Sequence, residues 1–171
     1  YVVQGDISSQ FITGFMFVLP LLDQDSTLTI TEPYESKSYV NLTIQMLAKF
    51  GIEIIETSSN SYLIKGNQHY KAQDVSVEGD FSQLAFFAVL GTLNNTLSCS
   101  NMDMSSKQGD KAILDCIPSF TSDKDTITFT KKQPAPQTID LSNCPDLGPI
   151  LCVLASFTNG ETNIVNAARL R

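Results

Sequence analysis

A pattern that occurs three times constrains the fold of this chain more than any single residue does. It consists of a short β-like run, a small polar turn and an apolar, helix-like segment, and the copies begin near Tyr1, Val75 and Ile139. Repetition of one supersecondary unit predicts an architecture built from similar units. Each copy also places polar side chains where a helix begins, and helix N-termini favour anions. The pattern therefore predicts a repeated scaffold with candidate anion sites.

Apolar periodicity extends the first copy into a larger unit. After the opening β-like run and an apolar helix that reaches Leu22, it predicts a strand at residues 28–30, a helix at 39–50, and strands at 52–55 and 62–65. Gly51 ends the second helix, and residues 58–60 are typical of a hairpin turn. The predicted order is β-α-β-α-β-β over residues 1–66.

The second and third copies repeat this order in part. The second predicts a strand at 75–77, a helix at 82–93, a strand at 96–99, a helix at 111–117 that ends at Pro118, and a strand at 126–129, and the sixth element, a strand, is unclear. The third predicts a strand from Thr138, an apolar helix over 147–154 and a β-like run at 162–165, and it stops within the pattern at Arg171. We therefore expect an α/β (α+β) fold of repeated βαβαββ units, in a fragment of a longer protein.

Composition and charge exclude several classes of function. The longest apolar stretch, residues 11–22, contains Thr13, Gly14 and Pro20 and is shorter than the roughly 20 residues of a membrane span. No basic segment precedes it, as one would in a signal peptide. The formal net charge of −7 disfavours nucleic acid, whose phosphates require a cationic surface. Any anionic ligand must be held by local geometry or by cations outside this chain.

The cysteines indicate a reduced protein. Cys99, Cys116, Cys144 and Cys152 include no C-x-x-C pair, and His69 is the only histidine. A zinc site is therefore not expected. Two of the four lie inside apolar runs, where cysteine behaves as a small hydrophobe. A cytoplasmic chain with free thiols accounts for this pattern better than a disulfide framework does.

Several short segments carry a resemblance to a known family. They are Ser8-Ser9-Gln10-Phe11, Ser36-Lys37-Ser38-Tyr39, Val77-Glu78-Gly79-Asp80, Pro145-Asp146-Leu147-Gly148-Pro149-Ile150, Asn159-Gly160 and Ala168-Arg169-Leu170-Arg171. Their order and spacing along the entire chain resemble the central part of the 5-enolpyruvylshikimate-3-phosphate synthase family. Members have two globular domains, each of three βαβαββ units, with the active site in the cleft between them. The resemblance assigns residues 1–75 to the last unit of one domain, and residues 76–171 to the first unit and part of the second unit of the other.

The resemblance also implies an activity. The family transfers the enolpyruvyl group of phosphoenolpyruvate to the 5-hydroxyl of shikimate 3-phosphate and releases phosphate, a step of the shikimate pathway to aromatic amino acids. This chemistry needs a proton donor, a base and positive charge around two phosphates, and no metal or organic cofactor. It implies small-molecule substrates as partners and a monomeric parent, without nucleic acid or membrane. The cations that hold phosphoenolpyruvate belong to segments outside this chain, so we expect the chain alone to be inactive.

The same resemblance implies substrate-binding residues, position by position. Ser8 and Ser9 would donate hydrogen bonds to shikimate 3-phosphate, and Gln10 would lie between the two substrates. Ser36 matches a serine that contacts phosphate, and Tyr39 matches an aromatic residue near the shikimate ring. Without the resemblance, these residues are typical of helix caps, polar first turns and core packing.

One residue is implied to be catalytic. Asp146 matches the carboxylate that accepts the proton of the 5-hydroxyl and orients shikimate 3-phosphate. Without the resemblance it is an acidic residue in a helix first turn, where the helix dipole favours negative charge. Arg169 stands where some family members have an asparagine directed toward the substrate, so no role is assigned to it.

Other polar residues near these positions are expected to be structural. Ser82 and Gln83 occupy the repeat positions of Ser9 and Gln10, but repeats keep packing more readily than chemistry. Lys37 lies beside the candidate phosphate contact and could add charge to it. A lysine surrounded by solvent is the expectation we adopt.

Two other interpretations stay open at the level of sequence. The related transferase that acts on UDP-N-acetylglucosamine shares the fold and the chemistry without a cofactor, although the S-S-Q-F and S-K-S-Y segments favour the shikimate enzyme. A scaffold module without catalytic activity, built from the same repeated unit, is the alternative from another functional class.

Overall fold

The computed structural model describes residues 1–168 and 170, and the chain divides into two compact units, Tyr1–Ser76 and Val77–Arg171. Each unit buries its own set of apolar side chains, which is the property that defines a domain core. The first core includes Ile12, Met16 and Leu28, and the second includes Phe81 and Phe129. Among the described residues, no helix has both the length and the apolar character needed to cross a membrane.

The first unit has the order of elements that the sequence predicts. Its elements are β1 (Val2–Gln4), α1 (Ser9–Val18), a 3-10 turn (Leu19–Leu21), β2 (Ser26–Thr31), α2 (Lys37–Lys49), β3 (Ile54–Ser58) and β4 (Ser61–Ile64). The strands form one sheet in the order β1-β2-β4-β3, in which β1 and β2 are parallel and the other pairs are antiparallel. Leu28 and Ile30 alternate with exposed residues along β2 and are fully buried. The sheet and the apolar sides of α1 and α2 therefore enclose one core.

Two boundaries in the first unit differ from the prediction. The first helix ends at Val18 rather than Leu22, because Pro20 cannot continue an α-helix and the chain tightens into a 3-10 turn. The strand predicted from residue 52 begins at Ile54. Gly51 adopts φ +83°, and the Ile52 amide donates to the Leu47 carbonyl (3.0 Å), so residue 52 closes the end of α2.

The second unit contains shorter elements. They are α3 (Phe81–Leu93), β5 (Leu97–Cys99), a 3-10 turn (Gly109–Ala112) that continues into α4 (Ile113–Cys116), β6 (Phe120–Asp123), β7 (Thr126–Phe129), β8 (Thr138–Asp140), a 3-10 turn (Pro145–Leu147), α5 (Gly148–Ser156) and β9 (Asn163–Val165). One antiparallel sheet has the order β5-β7-β6, and β8 pairs in parallel with β9. The predicted helices near 82–93 and 147–154, and the strands near 96–99, 126–129, 138 and 162–165, are confirmed.

The strand predicted at residues 75–77 is wrong. This segment has no regular secondary structure, and Val77 is 75% exposed. Its neighbourhood is held by isolated bonds, from the Gly79 amide to the Asn101 carbonyl (2.7 Å) and from the Asn101 side-chain amide to the Val77 carbonyl (3.4 Å). A strand requires a partner that satisfies successive N–H and C=O groups, and a β-like triplet by itself does not provide one.

The sequence left the sixth element, after the strand at 126–129, unclear, and the structure has the additional strand before it, as β6, the hairpin partner of β7. Its residues show no apolar alternation, because β6 lies at the edge of the sheet and most of its side chains are exposed. Lys124 makes the hairpin turn with φ +53°. The helix predicted at 111–117 is shorter than expected. Ile117 is extended because the following Pro118 excludes the helical conformation.

Candidate functional site

The start of α1 carries three of the expected substrate-binding residues. Ser8 is the N-cap, with φ −166° and ψ 132°, and its Oγ accepts a hydrogen bond from the Gln10 amide (3.2 Å). This bond occupies a lone pair of the hydroxyl and does not use its proton. Ser8 and Ser9 are half-buried, and Gln10 is exposed. The first turn therefore presents hydroxyl and amide donors together with the positive end of the helix dipole.

A glycine fixes the turn that leads from β1 to α1. The Gly5 amide donates to the Thr31 carbonyl (3.2 Å), and the Glu35 amide donates to the Gly5 carbonyl (3.2 Å). A Cβ atom at Gly5 would lie 2.5 Å from the Thr31 oxygen and 2.6 Å from the Pro33 oxygen, so no larger residue fits there. The turn after β1 is thus bonded to the loop after β2.

The starts of α1 and α2 consequently lie at one edge of the sheet. Strands β1 and β2 are parallel, and their last residues, Gln4 and Thr31, are paired in register. Each strand is followed by a loop and a helix, and the two helices pack against each other. The carboxyl ends of parallel strands are a common place for ligand sites in α/β proteins. The structure thus gathers the expected substrate-binding residues of the first unit at this edge.

Ser36 stands at the N-cap position of α2 in an unusual conformation. Its φ is +55° and its ψ is 32°, and the residue is only 2% exposed. Its carbonyl accepts a hydrogen bond from the Tyr39 amide (3.1 Å), while its side chain makes no capping bond to the helix. Tyr39 is half-buried in the first turn. The Ser36 side chain therefore does not serve as the simple helix cap that local sequence suggests.

Lys37 is partly exposed, as expected, but its ammonium group is bonded to other residues. Its Nζ donates to Glu56 Oε1 (2.7 Å) and to the Ser59 carbonyl (2.7 Å), and it lies 5.8 Å from the centre of the Tyr34 ring. The hydrogen bond to Glu56 is the main cause that raises the pKa of Lys37. The lysine thus joins the start of α2 to the β3–β4 hairpin.

A pair of tyrosines joins the loop between β2 and α2 to the sheet. The hydroxyls of Tyr34 and Tyr62 share a hydrogen bond (3.1 Å), and Tyr62 is fully buried in β4. Burial is the largest cause that raises the pKa of each phenol above its usual range. Both groups are therefore neutral at physiological pH and act as hydrogen-bonding supports rather than as bases.

In the second unit, Asp146 also lies where a strand is followed by a turn and a helix. It lies in the 3-10 turn between β8 and α5, is exposed, and precedes the buried residues Leu147 and Gly148. The loop before it begins at Asp140, whose carboxylate accepts a hydrogen bond from the Ser142 amide (2.8 Å). Bonds to Asn166 and Ser142 lower the pKa of Asp140, so this loop is pinned by an ionised carboxylate.

The start of α3 is built differently. Asp80 caps the helix by accepting from the Ser82 amide (2.8 Å), and Gln108 Oε1 accepts from the Phe81 amide (2.9 Å). The Gln108 side-chain amide donates to Glu78 Oε1 and to the Gly79 carbonyl (2.9 Å each). This network supports a structural interpretation of the Ser82-Gln83 copy. Sequence reasoning missed it because Gln108 lies about thirty residues beyond Glu78 in the chain.

Among the residues that the structure describes, none form a grouping typical of a metal site. Within residues 1–168 and 170, no three His, Cys, Asp or Glu side chains are close enough to hold a metal ion. All four cysteines are free thiols. Burial raises the pKa of Cys116 and Cys144 to about 11, so both are protonated at neutral pH. Arg169, to which the sequence assigns no role, and Arg171 lie outside the described residues.

Comparison with known proteins identifies close relatives. The sequence model of the family described as EPSP synthase (3-phosphoshikimate 1-carboxyvinyltransferase) matches residues 2–171. A 3-phosphoshikimate 1-carboxyvinyltransferase of Clostridium kluyveri is 46% identical over 175 aligned residues, which cover 100% of this chain and 41% of that protein. One of Clostridium acetobutylicum is 50% identical over 98% of this chain and 40% of the relative. The chain thus spans about 40% of the length of these relatives.

Solved structures show the same fold. The EPSP synthase of Acinetobacter baumannii superposes with a TM-score of 0.76 at 16% identity, over 100% of this chain and 41% of that one. The enolpyruvyl transferase NikO of Streptomyces tendae gives a TM-score of 0.68 at 16% identity, over 87% of this chain and 37% of that one. At this level of identity the likeness concerns the fold, which is the α/β fold of the enolpyruvyl transferases.

Proposed function

The chain belongs to the EPSP synthase (3-phosphoshikimate 1-carboxyvinyltransferase) family, and we propose that it is the central part of an enzyme of this activity. The enzyme would transfer the enolpyruvyl group of phosphoenolpyruvate to the 5-hydroxyl of shikimate 3-phosphate and release phosphate. The observation that carries the proposal is the family match over residues 2–171, with 46% to 50% identity to Clostridium relatives of that name. We further propose that residues 1–75 and 76–171 belong to different domains of the enzyme.

Shikimate 3-phosphate is proposed to bind at the edge of the first unit where α1 and α2 begin. The hydroxyls of Ser8 and Ser9 would donate to the substrate, and Gln10 would lie between the two substrates. Ser36 would contact phosphate, and Tyr39 would pack near the ring. The first turn of α1 is uncharged, and the helix dipole there stabilises a bound anion by about 0.3–1 kcal/mol. This local stabilisation supports the proposal, because the net charge of −7 on the chain otherwise disfavours anions.

Asp146 is proposed to be the base. In the addition step, the 5-hydroxyl oxygen bonds to C2 of phosphoenolpyruvate, its proton passes to the Asp146 carboxylate, and C3 takes up a proton. In the elimination step, C3 loses a proton and phosphate leaves C2. The exposure of Asp146 at the start of a helix suits contact with a substrate hydroxyl. The proton donor to C3 and the cations around phosphoenolpyruvate are proposed to lie in the rest of the enzyme.

The setting of this enzyme follows from the same proposal. Its partners would be its two small-molecule substrates, and the parent enzyme would be a monomer in the cytoplasm. Four free thiols are consistent with a reducing compartment. Sedimentation of the full-length enzyme at micromolar concentration measures the oligomeric state, and a stable dimer would contradict the proposal.

Turnover with defined acceptors tests the activity. The full-length enzyme is expected to release phosphate from phosphoenolpyruvate when shikimate 3-phosphate is present, and the 171-residue chain alone is expected to release none. Turnover with UDP-N-acetylglucosamine but not with shikimate 3-phosphate would replace the proposal by the related transferase. Failure with both acceptors would favour a scaffold without catalytic activity.

A further inference from the structure

Lys37 is the cation nearest in sequence to the proposed phosphate contact Ser36, and its bonds decide between two roles. As the first residue of α2, it lies at the positive end of the helix dipole, where a second positive charge is unfavourable. Its Nζ lies 2.7 Å from Glu56 Oε1 and 2.7 Å from the Ser59 carbonyl. A lysine with its charge paired in this way is poorly suited to bind phosphate directly.

The loop that Lys37 closes is held at several other points. The Tyr34 amide donates to Glu32 Oε2 (2.9 Å), and the Tyr34 hydroxyl meets that of buried Tyr62. The Glu35 amide donates to the Gly5 carbonyl, in the turn before α1. Ser36, between these bonds and Lys37, has φ +55°. A residue other than glycine keeps this conformation only when its surroundings enforce it.

We propose that Lys37 is a positioning residue, which holds the first turn of α2 through Glu56 and Ser59 so that Ser36 and Tyr39 meet shikimate 3-phosphate. This inference rests on the proposed function. The ion pair is partly exposed, with 30% of the Lys37 side chain and 46% of the Glu56 side chain accessible. Exposed pairs contribute little to stability, so variants of either residue should fold.

A set of variants in the full-length enzyme separates positioning from direct binding. Lys37→Met and Glu56→Gln are each expected to raise the KM for shikimate 3-phosphate about 3- to 10-fold, and the double variant no more than either single one, because the two residues act as a unit. The KM for phosphoenolpyruvate and kcat should change less than about 2-fold. Lys65→Met is the matched control, since Lys65 forms an exposed ion pair with Asp25 (2.6 Å) away from the starts of both helices.

The results that overturn the inference are distinct. If Lys37→Met raises this KM while Glu56→Gln leaves it unchanged or lowers it, Lys37 is a phosphate ligand. If neither variant changes KM, Lys37 has no role at the site. A failure of the unaltered enzyme to use shikimate 3-phosphate refutes the proposed function instead.

Amide exchange tests the anchoring without any substrate. In the full-length enzyme without substrate, the Tyr39 N–H, which donates to the Ser36 carbonyl, should exchange faster in both Lys37→Met and Glu56→Gln than in Lys65→Met. Equal exchange rates in all three variants would overturn the anchoring role.

Discussion

The starts of α1 and α3 have similar capping bonds but differ in the bonds they receive from distant parts of the chain. Each helix has an N-cap side chain that accepts from the amide two residues later, Ser8 from Gln10 and Asp80 from Ser82. A Ser-Gln pair lies in the first turn of each helix, directly after the cap in α1 and one residue later in α3, where Phe81 comes between. At α3, however, Gln108 also bonds the first helical amide and ties it to Glu78. At α1 the cap is a neutral hydroxyl, and the first turn is uncharged.

This difference shows how a repeated scaffold can be specialised. The helix dipole comes with each copy of the repeat, and a side-chain cap comes with the first two, because both depend on residues next to one another in the chain. Whether the helix start remains available to an anion depends on side chains that arrive from elsewhere. At α3 a glutamine and a carboxylate occupy it, and a negative charge already faces the dipole. The start of α5, with Asp146, is the third variation, in which the acidic group itself is the proposed reactant.

The largest effect is expected at Asp146, the proposed base. In the full-length enzyme, Asp146→Asn should lower kcat about 100-fold or more, as is typical when a general base is lost. Asp80→Asn is the matched control, because asparagine is an equally good helix cap and α3 has no proposed contact with substrate. Initial rates of phosphate release measure both. A near-normal kcat for Asp146→Asn would remove this residue from the catalytic role.

The next effect compares the two Ser-Gln pairs directly. Ser9→Ala and Gln10→Ala should each lower kcat/KM for shikimate 3-phosphate about 5- to 30-fold, which corresponds to the loss of one substrate hydrogen bond of about 1–2 kcal/mol. Ser82→Ala and Gln83→Ala should change it less than about 2-fold. Steady-state kinetics on the four variants decide the matter. Equal losses at both pairs would mean that the starts of α1 and α3 do not differ in function.

A stability measurement tests whether Gln108 stabilises the start of α3. Gln108→Ala removes the partners of the Phe81 amide, the Gly79 carbonyl and Glu78, and it should lower the free energy of unfolding by about 1–3 kcal/mol. Ser8→Ala removes one cap bond at α1 and should cost about 1 kcal/mol or less. Urea unfolding of the chain compares the two. A smaller loss for Gln108→Ala than for Ser8→Ala would contradict the account of α3.

The smallest effect concerns the loop before Asp146 and depends on pH. Bonds to Asn166 and Ser142 lower the pKa of Asp140 in the folded state. The stability that this carboxylate contributes is therefore present above its unfolded pKa, near pH 4, and is lost as the pH falls through the folded value. Asp140→Asn should lower the Tm more at pH 7 than at pH 2. An equal Tm difference at both values would exclude this linkage.

Much of the first unit could be predicted from its sequence. The order β-α-β-α-β-β and the positions of β2, α2 and β4 follow from apolar periodicity, because the same side chains that define the period form the buried face. In the second unit the long apolar helix α3 was predicted for the same reason. The strand at residues 75–77 failed, and β6 was not predicted, because strand formation depends on a distant partner rather than on local preference.

The candidate site divides along the same line. The resemblance to a family located Ser8, Ser9, Gln10, Ser36 and Asp146, and their roles remain proposals. The turn at Gly5, which bonds the loop after β1 to the loop after β2, was not anticipated. Nor was the pairing of Lys37 with Glu56, since residues nineteen positions apart meet only after β3 and β4 form their hairpin.

The sequence by itself determined the repeated polar turn and helix, and the strand before them in the first and third copies, because capping, turn formation and apolar periodicity act between neighbours in the chain. Only the tertiary structure decided which of these polar turns are bonded by side chains from distant parts of the chain. Gln108 closes the start of α3, and Lys37 is drawn to Glu56 and away from the role of a free cation. Such contacts join residues far apart in sequence, and their formation depends on how the sheets and helices of each unit pack.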